Sequence, residues 1–143
     1  MGAERGSQMI QNKIVARYQD GRILKGFTGD FLPTRLTFHL TPADAPQQSK
    51  PVEVRVADLK AIFFVKDLAG RPQPHPRRQE FDPGKPAVGR KIRVVFKDQE
   101  ILVGTTQGYD RSRPGFFVMP ADTEANNERV FVVTVATQEV SFI

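Results

Sequence analysis

The chain contains no cysteine, which excludes a disulfide framework, thiolate metal ligands and a thiol nucleophile, and fits a reducing compartment. Long apolar runs are missing too. Residues 1–12 carry Glu4 and Arg5 without the apolar stretch of a signal peptide, and nothing approaches the roughly 20 apolar residues of a membrane span. A cytoplasmic protein without a membrane partner is expected. Histidine is scarce: His39 stands in a strand-like pattern and His75 among prolines, and neither has a sequence neighbour suited to share a proton. Nucleophile-elbow, zinc-protease and phosphate-cradling glycine motifs are absent. The expectation is a protein that is not an enzyme and uses no cofactor.

Charge is present in both signs. The 21 basic and 16 acidic residues leave a net charge of +5 and a pI near 9.8, a bias that permits an acidic partner without demanding one.

What stands out is an internal repeat. Lys13-Ile14 written over Lys91-Ile92 fixes an offset of 78, and that offset holds without a gap to Ile143. Asp20 falls on Asp98, Gly26 on Gly104, Thr28 on Thr106, Arg35 on Arg113, Phe38 on Phe116, Pro42-Ala43-Asp44 on Pro120-Ala121-Asp122 and Phe64 on Phe142. A register kept through turns and strand ends alike marks a duplicated structural unit. The chain divides into an N-terminal segment (1–12), a first repeat (13–66), a proline-rich basic linker (67–89) and a second repeat (90–143).

Each repeat reads as β-structure. Ile14-Ala16-Tyr18 and Ile92-Val94-Phe96 alternate with their neighbours at period two. Asp20-Gly21 signals a tight hairpin that Asp98-Gln99 keeps in part. Gly26 and Gly104 suggest a bulge or sharp bend in the second strand. A third strand covers 36–40 or 115–119, a fourth 52–56 or 130–135, and a fifth 61–65 or 139–143. Five short strands of this kind predict an all-β fold of two tandem five-stranded SH3-, Sm- or PilZ-like small barrels, because closure removes exposed edges.

Comparing the copies separates shared core from private surface. On the fourth strand, Glu53 and Arg55 of the first copy give way to Phe131 and Val133 of the second, followed by Val135. A strand apolar on both faces is normally covered on both. Phe131, Val133 and Val135, with Phe63 and Phe117, are therefore expected to form an interface with the other copy or with another chain. Units of about 55 residues are marginal alone, which strengthens that expectation.

The linker interleaves five prolines with Arg71, Arg77, Arg78 and Lys85, and Arg90, Lys91 and Arg93 carry the charge into the second repeat. Arginine binds phosphate bidentately and stacks on bases, so this strip is a candidate ligand approach. Arg77-Arg78 followed by Asp110-x-Ser112-x-x-Gly115 resembles the PilZ family of β-barrel receptors for cyclic di-GMP. That resemblance implies a nucleotide site on the second repeat at Arg77, Arg78, Asp110, Ser112 and Gly115, to which the neighbouring basic residues Arg90 and Arg113 are added as candidate ligand contacts. The Arg-x-x-x-Arg element is incomplete, with Phe81 and Asp82 where its second arginine would fall.

A second resemblance, through Lys91-Ile92-Arg93-Val94, Asp98 to Gly104 and Tyr109-Asp110, is to Sm-like RNA-binding proteins, and implies RNA as an alternative partner. Phrases such as Asp58-Leu59-Lys60-Ala61-Ile62-Phe63-Phe64-Val65-Lys66 resemble an uncharacterised bacterial family over nearly the whole chain. The expected function is a regulatory or protein-interaction module, with a protein partner or self-association, and with cyclic di-GMP as the named ligand.

Overall fold

The computed structural model describes residues 11–44, 50–69, 88–122 and 126–143. Strands β1 (Asn12–Tyr18), β2 (Ile23–Thr28), β3 (Thr37–Pro42), β4 (Val52–Arg55) and β5 (Leu59–Val65) form the first half, with a 3-10 turn, Val56–Asp58, between the last two. The second half comprises β6 (Arg90–Phe96), β7 (Ile101–Thr106), β8 (Gly115–Pro120), β9 (Asn127–Val133) and β10 (Thr137–Phe142), with a 3-10 turn, Thr134–Ala136, before β10.

Local chemistry sets the turns. In the first hairpin Gly21 takes φ +98°, a left-handed conformation that costs glycine little, and Asp20 accepts the Arg22 amide at 3.0 Å. Asp98 accepts the Glu100 amide at the same distance. There the left-handed residue is Gln99, at φ 78°.

Pairing is antiparallel throughout and follows the order β10-β6-β7-β8-β9-β5-β1-β2-β3-β4 in one sheet. Ladders of the second half reproduce those of the first with numbers raised by 78: Ile14↔Gly26 against Ile92↔Gly104, Ile14↔Phe64 against Ile92↔Phe142, and Thr37↔Arg55 against Gly115↔Val133. The expected closure of each five-strand unit is not seen in this pairing. Each 3-10 turn carries the chain away from the fourth strand instead of hydrogen-bonding the fourth to the fifth, so the sheet stays open, with β4 and β10 as its edges.

The halves join through β5 and β9, paired as Ala61↔Val132, Ile62↔Phe131 and Phe63↔Val130. All seven residues of β5 are buried, because this central strand has a core on each face. One core gathers Ile14, Ala16, Phe38, Leu40, Ile62 and Phe64 of the first half and takes Phe131 and Val133 from β9. The other gathers Ile92, Val94, Phe96, Phe116 and Val118 of the second half and takes Val15, Ala61, Phe63 and Val65 from β1 and β5. Each half thus lends side chains to the core of its neighbour.

Two sequence expectations change here. Phe63 does not meet Phe131: they lie one register position apart on paired strands, hence on opposite faces. Val135 does not pack either, since the 3-10 turn lifts it to 54 % exposure. Phe117 does meet Phe131, with ring centroids 5.2 Å apart, in a cluster that includes Phe31 and Phe64.

A buried charge also links the halves. The β1–β5 register slips by one residue at Lys60. The Lys60 side chain, only 10 % exposed, pairs with Asp98 at 2.7 Å and with Glu100, and its ammonium lies 4.8 Å from the centre of the Phe96 ring. The Lys60 hydrogen bond holds the Asp98 carboxyl below its ordinary pKa, against a smaller opposing effect of burial. A folded-state pKa that is lowered gives stability present above the ordinary carboxylate range and lost as pH falls through the lowered value. Neutralising both acids (Asp98→Asn with Glu100→Gln) strands a buried ammonium, and is expected to cost about 2 kcal/mol in urea unfolding, less than a fully buried pair because the acids are partly exposed. Lys60→Met, whose chain keeps the Phe96 contact, should cost under about 1 kcal/mol. Equal losses in both variants would contradict this account.

Candidate functional site

The segment after β7 is held as a turn by its own side chains. Asp110 Oδ1 accepts the Ser112 amide at 2.9 Å and the Ser112 hydroxyl at 2.7 Å. The Arg113 amide donates to the Asp110 carbonyl at 3.1 Å. Next, Thr134 donates its amide to the Pro114 carbonyl at 2.9 Å and its hydroxyl to the Arg113 carbonyl at 3.0 Å. The turn is thereby fastened to the 3-10 segment that follows β9. These Ser112 hydrogen bonds, with Arg113 nearby, hold the Asp110 carboxyl below its ordinary pKa, so it stays ionised at neutral pH.

The first half builds the same corner, with Arg35 amide to Leu32 carbonyl at 3.0 Å and Val56 amide to Leu36 carbonyl at 2.9 Å. Because β5 and β9 are antiparallel neighbours, the two corners face each other. Between them is a cleft of about 580 Å³, a volume within the range of small-molecule sites. Leu36, Val56, Pro114, Val133 and Val135 supply its apolar lining, and Arg55, Arg111, Arg113 and Ser112 its polar groups. Leu36 is 71 % exposed, an apolar side chain left to solvent in a cleft that three arginines also line, of which Arg113 lies 3.8 Å from the Asp110 carboxylate. Such a cleft suits an anion with a planar or apolar body, since arginine holds phosphate by paired hydrogen bonds and stacks on flat rings.

Residues singled out from sequence divide four ways. Ser112 and Arg113 line this cleft, and Asp110 shapes the turn that presents them. Gly115 is a packing residue: a Cβ there would stand 2.4 Å from the Val132 carbonyl oxygen and 2.5 Å from the Phe131 ring. Arg90 is elsewhere, its guanidinium 3.7 Å from the centre of the Phe142 ring in a recess beside Tyr109. Arg77 and Arg78 lie outside the described residues. Sequence reasoning missed Arg111 and Arg55 as cleft residues. For Arg55 the signal was its replacement by Val133 in the other repeat, which marks a position private to one copy.

His39 gains a partner that spacing did not reveal. Asp30 meets its Nδ1 at 2.7 Å and accepts its backbone amide at 2.9 Å. Burial works to raise the Asp30 pKa, but these His39 contacts prevail and lower it. The Thr28 hydroxyl donates to the His39 carbonyl at 2.8 Å, as Thr106 does to Phe117 at 2.7 Å. The fastening is therefore common to both halves. Among the described residues, no group of three histidine or acidic side chains is placed to hold a metal ion, and no helix is long and apolar enough to cross a membrane.

Fold and cleft together define an all-β protein of antiparallel strands with a ligand-sized recess between two corresponding corners. The chain belongs to a family of unknown function (DUF6982), whose profile matches residues 10–143. No curated protein and no solved structure matches it.

Proposed function

We propose that the protein is a non-enzymatic regulatory module that takes an anionic nucleotide of the cyclic di-GMP class in the cleft between its halves. The observation that carries this reading is the convergence of Arg55, Arg111 and Arg113 on an apolar cleft of about 580 Å³. Phosphates of the ligand pair with the guanidinium groups, while its bases lie against Leu36, Pro114 and Val135 or stack on the arginine planes. The PilZ resemblance points to the same ligand, with Ser112 as the shared cleft residue. On this reading the paired small β-units serve as a frame that holds two corners in opposition.

Titration calorimetry tests it. Cyclic di-GMP is expected to give saturable heat, weakened at least about tenfold by Arg55→Ala or Arg111→Ala, the loss of one charge-assisted phosphate contact. No heat at millimolar ligand, or binding indifferent to both variants, would overturn the proposal. A single-stranded RNA whose affinity collapses with added salt, in the absence of nucleotide binding, would favour an RNA-binding module instead.

A further inference from the structure

The first half shows how a fifth strand of this fold is covered, and among the described residues the second half presents the corresponding place uncovered. On the first half Phe31 stacks against Phe38 and Phe64 of its own half, at 5.3 and 5.8 Å, and against Phe131 and Phe117 of the other, at 4.9 and 6.2 Å. Arg129 caps the group, 4.2 Å from the centre of the Phe64 ring. On the second half Tyr109 repeats the internal contacts, with Phe116 at 4.7 Å and Phe142 at 5.8 Å. Among the described residues, the two rings that would complete the set have no counterpart there. Instead there is a recess of about 360 Å³ lined by Gly89, Arg90, Gly108, Tyr109 and Phe142. Phe142 is 39 % exposed and Ile143 61 %. Beside this recess runs β10, whose outer edge pairs with no strand among the described residues.

We infer that β10 and the Tyr109–Phe142 recess are a docking site for an extended segment of a partner protein, which adds to the sheet edge as β9 adds to β5. Backbone hydrogen bonds along β10 supply affinity and the recess selects a side chain. Transferring the internal register by 78 places the partner's residues opposite Ser141, Val140 and Glu139 where Val130, Phe131 and Val132 stand opposite Phe63, Ile62 and Ala61. The residue opposite Val140 enters the recess, so it is aromatic. The next residue faces Glu139 where β9 faces Ala61, so it is lysine or arginine. The partner need not bring the capping arginine, because Arg90 already covers Phe142 at 3.7 Å. A second copy of this chain is a poor occupant through its other edge strand, β4, which offers Glu53 where Phe131 stands and Arg55 where Val133 stands.

The probe is a labelled peptide of the chain's own residues 126–134 with Val132→Lys, followed by fluorescence anisotropy on the 143-residue chain. Saturable binding is expected, weakened at least about tenfold by Phe131→Ala in the peptide or Tyr109→Ala in the protein. Because Tyr109→Ala also removes core packing, the exposed Glu139→Lys provides the decisive variant. It should weaken the lysine peptide about fivefold, and a peptide with Val132→Glu should recover the loss. Amide exchange should slow over 138–142 and not over 52–55. Absence of saturable binding near about 1 mM peptide, or binding indifferent to Glu139→Lys and accompanied by exchange of the peptide for β9, would overturn the inference. So would a sedimentation mass well above 16.1 kDa for the protein alone with β10 amides already protected, since a second copy would then be the occupant.

Discussion

Phe131→Ala is expected to cost about 3–5 kcal/mol of folding stability, and to do so across both halves at once. Phe131 is fully buried, and its ring packs against Phe31 and Phe117. Truncation loses the transfer energy of a phenyl group and leaves a cavity that rigid strands on both sides cannot fill. Domains of this size are typically stable by only about 5–15 kcal/mol, so the loss takes a large share. Its position makes the result diagnostic. The residue belongs to the second half by chain order and to the core of the first by packing, while Val130 and Val132 on the same strand enter the other core. Urea unfolding followed by residue-resolved NMR should therefore show one transition, shifted equally for residues of β1–β4 and of β6–β8. Two separate transitions, with only the second half shifted, would show that the halves fold independently and that the exchanged side chains matter little.

Gly104→Ala is expected to cost more than about 3 kcal/mol, the scale of overpacking that meets backbone instead of a movable side chain. A Cβ at Gly104 would stand 2.0 Å from the Met119 carbonyl oxygen, and at Gly26 2.1 Å from that of Thr41. Both glycines sit where the second strand of a half crosses onto the third, paired as Gly104↔Pro120 and Gly26↔Pro42. The strand pair can separate only by giving up the ladder. Gly108→Ala is the control: nothing lies within 4 Å of its Cβ position, so its effect should stay within about 0.5 kcal/mol. Thermal or urea denaturation of the two variants side by side checks the contrast, and a Gly104→Ala protein as stable as the parent would show that the strands do not approach so closely.

Much of the strand pattern was legible because alternation and turn chemistry are local. Ile14, Ala16, Ile92 and Val94 alternate with more exposed neighbours, and Asp20-Gly21 marks a hairpin by conformational preference alone. Gly26 and Gly104 were read as bends. Their actual role is closer contact: a backbone crossing that excludes any side chain. The apolar character of Phe131 and Val133 beside the polar Glu53 and Arg55 pointed to a strand covered on both faces. It could not tell which side chains would meet. Phe63 and Phe131 are both large and buried, yet a register one residue apart sends them to different cores, and register is set by pairing between strands whose residues 63 and 131 lie 68 positions apart.

The candidate site was less legible. Ser112 and Arg113 were visible through a turn motif, but that motif's glycine serves packing and its aspartate serves the turn. Arg55 and Leu36 reach the cleft only because β5 and β9 are antiparallel neighbours, which brings two corners of the chain together. Asp30 reaches His39 through the bend between β2 and β3, nine positions away along the chain.

By itself the sequence determined the all-β character, the offset of 78, the turns and the contrast between the two fourth strands, since each depends on neighbours along the chain or on comparing two stretches of it. Tertiary structure alone decided that the units pair through β5 and β9 into one open sheet, that each lends side chains to the core of the other, and that the cleft lies between them. Those outcomes depend on contacts between distant segments, whose energies add up only once the chain has closed on itself.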